Sequence, residues 1–259
     1  MRIIHMSDLH LTKDGCPIWG TNTMEHFNQS IAIIRGMQNI DVILVTGDIS
    51  DDGSKWTYQY ADRMYSTLGI PTLCCPGNHD SLKMMLCEYK PPFYQVLPHS
   101  CIIEGWKLVM LNSVVSADDN PDQNKARGFL SEESLNYVKR ELEDGLPTII
   151  ALHHPPLEPG GWLNRRLLEN RDEFNQAINS YPNARLVLYG HIHYFTEVQQ
   201  GHIKYSSSTS VGFAFDKDLP KFQIADGLEG FSLIEINSDI IDVANIQLYN
   251  KHVHLTRLG

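Results

Sequence analysis

The chain has 259 residues, 42% of them hydrophobic, which is enough for a sizeable core in one large domain. Its formal net charge of −10 argues against a general nucleic-acid or membrane-surface binder, since both need a basic face to offset phosphate. A small phosphate ligand stays open, because bound cations dominate the local field of a metal site. The first predicted element is a strand over Arg2–Met6. It runs into Asp8-Leu9-His10 with no charged-then-apolar leader. Five cysteines (Cys16, Cys74, Cys75, Cys87, Cys101) form no CxxC pair, so reduced thiols in a cytoplasmic protein are expected. Thr23–Met37 sets Phe27, Ile31, Ile34 and Met37 at near-helical spacing. Asp41–Thr46 (DVILVT) reads as a strand buried on both faces, and it delivers the chain to Gly47-Asp48, with Asp51 close behind. Ser54–Leu68 reads as a helix capped by Ser54 and ended by Gly69. Ile70–Cys74 is the next strand, and Gly77-Asn78-His79-Asp80 follows it.

The second half is looser. Cys101–Ile103 and Lys107–Asn112 pair around Glu104-Gly105, and Ser131–Glu143 is a helix whose capping box uses Ser131 and Ser134. Thr148–Leu152 is a strand leading to His153-His154-Pro155, Arg171–Ser180 a helix, and Arg185–Tyr189 a strand leading to Gly190-His191-Ile192-His193. Thr196–Gln199 and His202–Ser206 form a hairpin about Gln200-Gly201, and Phe231–Ile236 and Ile240–Tyr249 are late strands. No run approaches the roughly 20 apolar residues that span a bilayer. No linker separates two cores, so 1–259 reads as a single domain whose part 211–259 holds C-terminal strands and a cap loop. Lys13–Thr21, Ser81–Pro98, Val114–Arg127, Leu157–Asn170 and Val211–Gly230 read as irregular segments, of the kind that often form walls or lids.

Five polar clusters therefore follow five predicted strands. Singly, Asp8-Leu9-His10 and Gly47-Asp48 are weak signals. In a strand, residues two apart share a face and reach one ion, but a turn aspartate and an exposed histidine fit as well. Gly77-Asn78-His79-Asp80 and Gly190-His191-Ile192-His193 are stronger, because packing does not call for such runs of turn and ligand residues. Together they are far more specific, since ligands in open α/β sheets bind beyond the carboxyl ends of strands. The clusters should meet at one rim and hold two adjacent cations, which activate water against phosphate esters.

On these motifs the chain resembles the calcineurin-like metallophosphoesterases over roughly residues 1–210. Gly20-Thr21-Asn22-Thr23 and the double histidine before Pro155-Pro156 favour the bacterial class III cyclic-nucleotide phosphodiesterase branch. The resemblance implies a four-layer α/β/β/α sandwich with two mixed sheets. It implies one metal on Asp8, His10, Asp48 and His193, and a second on Asp48, Asn78, His153 and His191, with Asp48 bridging. His154 is the alternative to His153. This mixed nitrogen and oxygen set suits two ions of Mn, Fe or Zn. His79 would protonate the leaving oxygen, with its other nitrogen held by Asp51 or, alternatively, Asp52. Asn78, His79 and His193 would touch substrate, and a hydroxide between the ions would attack phosphorus in line. The expected partner is a small phosphodiester, with 3′,5′-cyclic AMP favoured, and neither a nucleic-acid polymer nor a membrane. A glycerophosphodiester or other small diester is the rival substrate, a phosphomonoester a further one, and a non-catalytic scaffold the rival class. A homo-oligomer is left open.

The remaining residues take plainer readings. His5 is a core residue, and His26, His99 and His202 are surface histidines. His252 and His254, Arg165 and Arg166 read as solvated groups. Trp19 and Trp162 sit in loops flanking the site, where loop packing is favoured over base stacking. Ser206–Ser210 (SSSTS) is placed to line the site.

Overall fold

The structure is a computed structural model that describes residues 1–89, 99–115, 126–160, 163–164, 167–219, 221, 223–225 and 227–249. Trp162, Arg165, Arg166, His252 and His254 lie outside the described residues. The first half forms β1 (Arg2–Met6), α1 (Thr23–Arg35), β2 (Val42–Thr46), α2 (Lys55–Ser66) and β3 (Thr72–Cys75). The chain then forms β4 (His99–Ile103), β5 (Trp106–Met110), α3 (Glu132–Leu142), β6 (Thr148–Ala151), α4 (Arg171–Asn179) and β7 (Ala184–Tyr189). Two hairpins follow, β8 (Thr196–Gln200) with β9 (Ile203–Ser207), and β10 (Gly230–Asn237) with β11 (Ile240–Gln247).

The strands form two mixed sheets, in the orders β11-β10-β1-β2-β3 and β4-β5-β6-β7-β9-β8. The period-two alternation of side chains explains the layering. Ile4, Ile43, Val45 and Cys74 point outward and pack with Phe27 and Ile31 of α1 and Tyr58, Ala61 and Tyr65 of α2. Their neighbours Ile3, Val42, Leu44, Leu73 and Cys75 point inward. There they meet Leu108, Met110, Ile149, Ala151, Leu186 and Leu188 of the second sheet. That sheet's outer face, with Val109, Ile150 and Val187, packs on Val138 of α3 and Phe174 of α4. The result is the expected α/β/β/α sandwich, and β2 is buried on both faces, as its composition predicted.

Local signals were accurate where chemistry fixes a terminus. The Ser54 and Ser131 side chains accept from the Thr57 and Ser134 amides and start α2 and α3. Three readings change. The first helix stops at Arg35, because the Gly36 and Met37 amides turn back to Ile33 and Ile34. The segment expected to be irregular after Ser81 contains a π-helical turn, Met84–Glu88, with Met85 buried in the core. The late hairpin turns at Gly201-His202, one residue beyond the expected pair, since Gly201 takes the left-handed conformation (φ 62°).

Candidate metal centre

Five residues of the clusters, Asp8, His10, Asp48, His191 and His193, adopt left-handed backbone conformations with φ between 46° and 72°. The extended geometry expected for Asp8-Leu9-His10 is therefore replaced by a curl. The strand ends at Met6, and two left-handed residues turn both side chains toward one point. Each such residue costs about 1–2 kcal/mol relative to a right-handed one, so surrounding bonds must impose it. Asp8 N–H donates to Gly47 O (3.0 Å) and His10 N–H to Asp48 O (2.9 Å). The Asp8 carbonyl accepts from Gly212 N–H (2.9 Å) and Ser210 Oγ (2.7 Å). Thr23 Oγ1 donates to His10 O (2.8 Å).

Glycines let these strand ends approach one another. A Cβ on Gly77 would stand 2.2 Å from Asp48 Oδ1, and one on Gly190 would stand 1.9 Å from Ser7 Oγ. Gly47 (φ 91°) is constrained twice, by its conformation and by Gly77 N and His153 Nδ1 within 2.7 Å of a Cβ.

The imidazoles are oriented from behind. Nδ1 of His10 pairs with Asp51 Oδ1 (3.0 Å), that of His153 with Thr46 O (2.6 Å), and that of His193 with Phe213 O (2.7 Å). A backbone carbonyl or carboxylate behind Nδ1 holds a proton there and turns Nε2 inward. Those inward nitrogens crowd. His10 Nε2 and His193 Nε2 are 3.2 Å apart, and His153 Nε2 is 3.2 Å from His191 Nδ1 and 3.0 Å from Asn78 Oδ1. Acceptors facing acceptors repel unless protons or cations lie among them, and the donor set fits cations. Donor atoms of Asp8, His10 and His193 lie within 4.8 Å of one another, as do those of Asp8, Asp48 and His153. Asp48 Oδ2 stands between the groups, 3.6 Å from His10 Nε2 and 3.4 Å from His153 Nε2. Its other oxygen accepts the His79 amide (2.8 Å).

Both histidines of the pair left open by sequence lie at the cluster: His153 Nε2 meets Asn78 and Asp48, while His154, with Nδ1 on Ser113 Oγ (2.9 Å), forms a donor group with His153 and His191 whose atoms lie within 4.8 Å of one another. Asp51 rather than Asp52 meets His79, through Oδ1 and Nδ1 at 3.0 Å. Asp52 instead accepts from the Lys13 and Ser54 amides and braces the loop. The His79 side chain is 40% exposed and marks the open side of the centre.

Burial alone would neutralise these groups, and their mutual charges decide the outcome. Burial lowers His10 and His191, while the Asp48 charge overcomes burial at His153 and pushes it up to about 9. At Asp48, burial is outweighed by His153, His79 and His10, and its carboxyl is held well below the usual range. At His79, burial is outweighed by Asp51 and Asp48, and the imidazole is raised.

Two contributors had little signal in sequence. Asp80 accepts from Gly77 N–H (2.9 Å), Ser50 N–H (3.0 Å), Ile49 N–H (3.3 Å) and Tyr58 OH (3.1 Å), tying the loop after β2 to the loop after β3. Its place in the Gly-Asn-His-Asp run was the only clue. His26, expected at the surface, is buried, with Nδ1 on Gly212 O (2.7 Å) and Nε2 on Tyr249 OH. It fixes the segment whose Phe213 carbonyl orients His193. Nothing local signals this, because its partners are far along the chain.

Ser206–Ser210 does not line the centre. The segment is buried and braces backbone, with Ser208 on His5 O and Ser210 on Asp8 O. His5 is a core residue bonded to Thr46 Oγ1, and His202 is exposed. His99 is half-buried. Trp19 is 62% exposed, and its ring meets Phe213 edge-on with centroids 5.0 Å apart.

Two mixed sheets with a buried carboxylate–imidazole cage at one rim define a metal-dependent phosphoesterase. The chain belongs to the calcineurin-like phosphoesterases, a family that matches residues 1–195. It is 31% identical over 252 residues to a 3′,5′-cyclic-nucleotide phosphodiesterase of Nostoc sp., covering 92% of this chain and 88% of that relative. It is 27% identical over 244 residues to a 3′,5′-cyclic adenosine monophosphate phosphodiesterase of Escherichia coli, covering 92% and 86%. A dimetal phosphatase from Danio rerio shares the fold at 11% identity, with a TM-score of 0.70 over 93% of this chain and 94% of that one. The protein is thus a hydrolase whose fold implies two metal ions. Among the described residues, no helix is long and apolar enough to cross a membrane.

Proposed function

We propose that this protein hydrolyses 3′,5′-cyclic nucleotides, with cyclic AMP as the substrate to test first. The relatives named above support the substrate, and one local observation carries the chemistry. His79, held by Asp51, stands on the open side of a cage in which inward-facing acceptors crowd within 3.0–3.2 Å.

Asp8, His10, Asp48 and His193 would hold one ion, and Asp48, Asn78, His153 and His191 the other. Two bound cations supply positive charge to the phosphate oxygens and acidify an attacking water. The mixed nitrogen and oxygen donors suit Mn, Fe or Zn. His79 Nε2 gives a proton to the departing alkoxide, since its Nδ1 is committed to Asp51. Asn78 and His193 would contact the phosphate. We place this activity in the cytoplasm, a reading supported by five free thiols.

Protein loaded with Mn²⁺ should convert cyclic AMP to 5′-AMP. Chelation should abolish the activity and added metal restore it. Cleavage of an aryl diester without cyclic AMP turnover would move the substrate to other small diesters, such as glycerophosphodiesters. Failure on both, in protein shown to hold two ions, would overturn the reading.

A further inference from the structure

A cavity of about 470 Å³ lies beyond the carboxyl end of β5. Its volume falls in the range of small-molecule sites. Leu82, from the loop after β3, forms one wall, and Asn112, Val114, Val115 and Phe129, from the segment between β5 and α3, form the other. Among the described residues, Leu82, Val114, Val115 and Phe129 belong to none of the three hydrophobic cores, and Phe129 is 42% exposed. Apolar side chains gathered around open space, and packed into no core, make a surface suited to a ligand.

Both walls are tied to the metal centre. Leu82 follows His79 by three peptide links, so their Cα atoms lie within about 11 Å of each other. On the other wall, Phe129 N–H donates to Ser113 O (2.9 Å), and Ser113 Oγ pairs with His154 Nδ1 (2.9 Å). Gly128 rests against the same imidazole, since a Cβ there would stand 2.2 Å from His154 Cγ. The lining chemistry favours a neutral aromatic guest over a phosphate. Arg127, at the wall, is paired with Glu169 (2.8 Å), so its charge is already matched. Asn112 Oδ1 accepts Val114 N–H (2.9 Å), which leaves the Asn112 amide group as a donor toward the cavity.

We propose that this cavity receives the substrate's nucleoside, with Phe129 and Leu82 as the walls that hold the base, an inference that rests on the cyclic-nucleotide reading above. The direction follows from the chemistry. Water adds to phosphorus, the bond from phosphorus to O3′ breaks, and the proton from His79 goes to O3′. That leaving oxygen belongs to the ribose itself, so ribose and base extend from the His79 side, where Leu82 stands. Every base has a π-face, so the walls should accept cyclic AMP and cyclic GMP alike.

The test compares the metal-loaded wild type with Phe129→Ala, which opens the cavity, Leu82→Trp, which fills it, and Phe129→Tyr, which keeps a ring. Substrates are cyclic AMP, cyclic GMP and a base-free methyl riboside 3′,5′-cyclic phosphate. In Phe129→Ala and Leu82→Trp, kcat/KM for both nucleotides should fall about ten-fold or more relative to the base-free diester, with the loss in KM. Phe129→Tyr should retain most of the wild-type ratio. Calorimetry supplies a readout without turnover: Phe129→Ala should weaken binding of 5′-AMP about ten-fold and leave that of inorganic phosphate in place. An equal loss on all three substrates, with a lowered melting temperature, would assign these residues a structural role and overturn the proposal. Unchanged ratios in either Phe129→Ala or Leu82→Trp, with normal wild-type turnover of nucleotides, would overturn the cavity assignment alone. A wild type that cleaves the base-free diester but neither nucleotide would overturn the cyclic-nucleotide reading, and the cavity assignment with it.

Discussion

One oxygen atom, Oδ1 of Asp51, joins two functions. It meets Nδ1 of His10, whose Nε2 faces the cage, and Nδ1 of His79, which stands at the open side. Burial works to lower His79, but the Asp51 hydrogen bond and the Asp48 charge outweigh it, so its pKa lies above the ordinary 6.5. The imidazolium is therefore held to higher pH than that of an ordinary histidine, and it is lost as pH rises past the raised value. That is the form a general acid needs. Asp51→Asn removes one of the two charges, so the alkaline limb of kcat/KM should move to lower pH. An unmoved limb would sink the assignment. His79→Ala should cost about 10²–10⁴-fold on a diester with a poor leaving group. It should cost much less on an aryl diester, whose leaving group departs without a proton.

At the scale of elements, the centre depends on how closely the loop after β2 meets the loop after β3. Gly77 leaves no room for a side chain beside Asp48, and Asp80 clamps both loops through three backbone amides and one hydroxyl. Gly77→Ala should keep the secondary structure and displace Asp48, so metal affinity measured by calorimetry should drop about ten-fold or more. Retained affinity would show that the loops yield. Asp80→Asn should lower stability by about 1–3 kcal/mol, since an amide nitrogen then faces buried N–H donors.

This is also the scale at which sequence was most and least legible. Strand ends followed by ligand-type residues pointed to Asp8, Asp48, Asn78, His153 and His191, side chains that the fold brings near one another, because composition and position are local properties. The left-handed turn at Asp8 and His10 was not legible. It is imposed by Gly47, Gly212 and Ser210, which are distant in the chain. The bracing by His26 and the burial of Ser206–Ser210 were missed for the same reason, since a side chain's partner across the fold leaves no mark at its own position.

Across the whole molecule, the cage spans both sheets. Asp8, His10, Asp48 and Asn78 follow strands of the first sheet, and His153, His191 and His193 follow strands of the second. Bound ions would cross-link the two layers through their buried rim. An ion held at 100-fold its dissociation constant adds about 2.7 kcal/mol to stability. In a chain of this size that is worth roughly 5–11 °C in melting temperature. Chelation should therefore lower the calorimetric melting temperature by at least this much, and re-addition of Mn²⁺ should restore it. A melting temperature indifferent to chelation would mean that the layers are held by apolar packing alone.

The contact between Asp8 and His191 closes 183 residues of chain, and β1 takes β10 as one of its two neighbours. A ribosome makes the chain in order, so the first ligands emerge long before the last, and the first strand waits for a partner made near the end. Any ion met early would find only Asp8, His10, Asp48 and Asn78, an incomplete and weakly retaining set. Which ion such a site kept would therefore be decided late, once translation had passed His193, by whatever metals the chain then met.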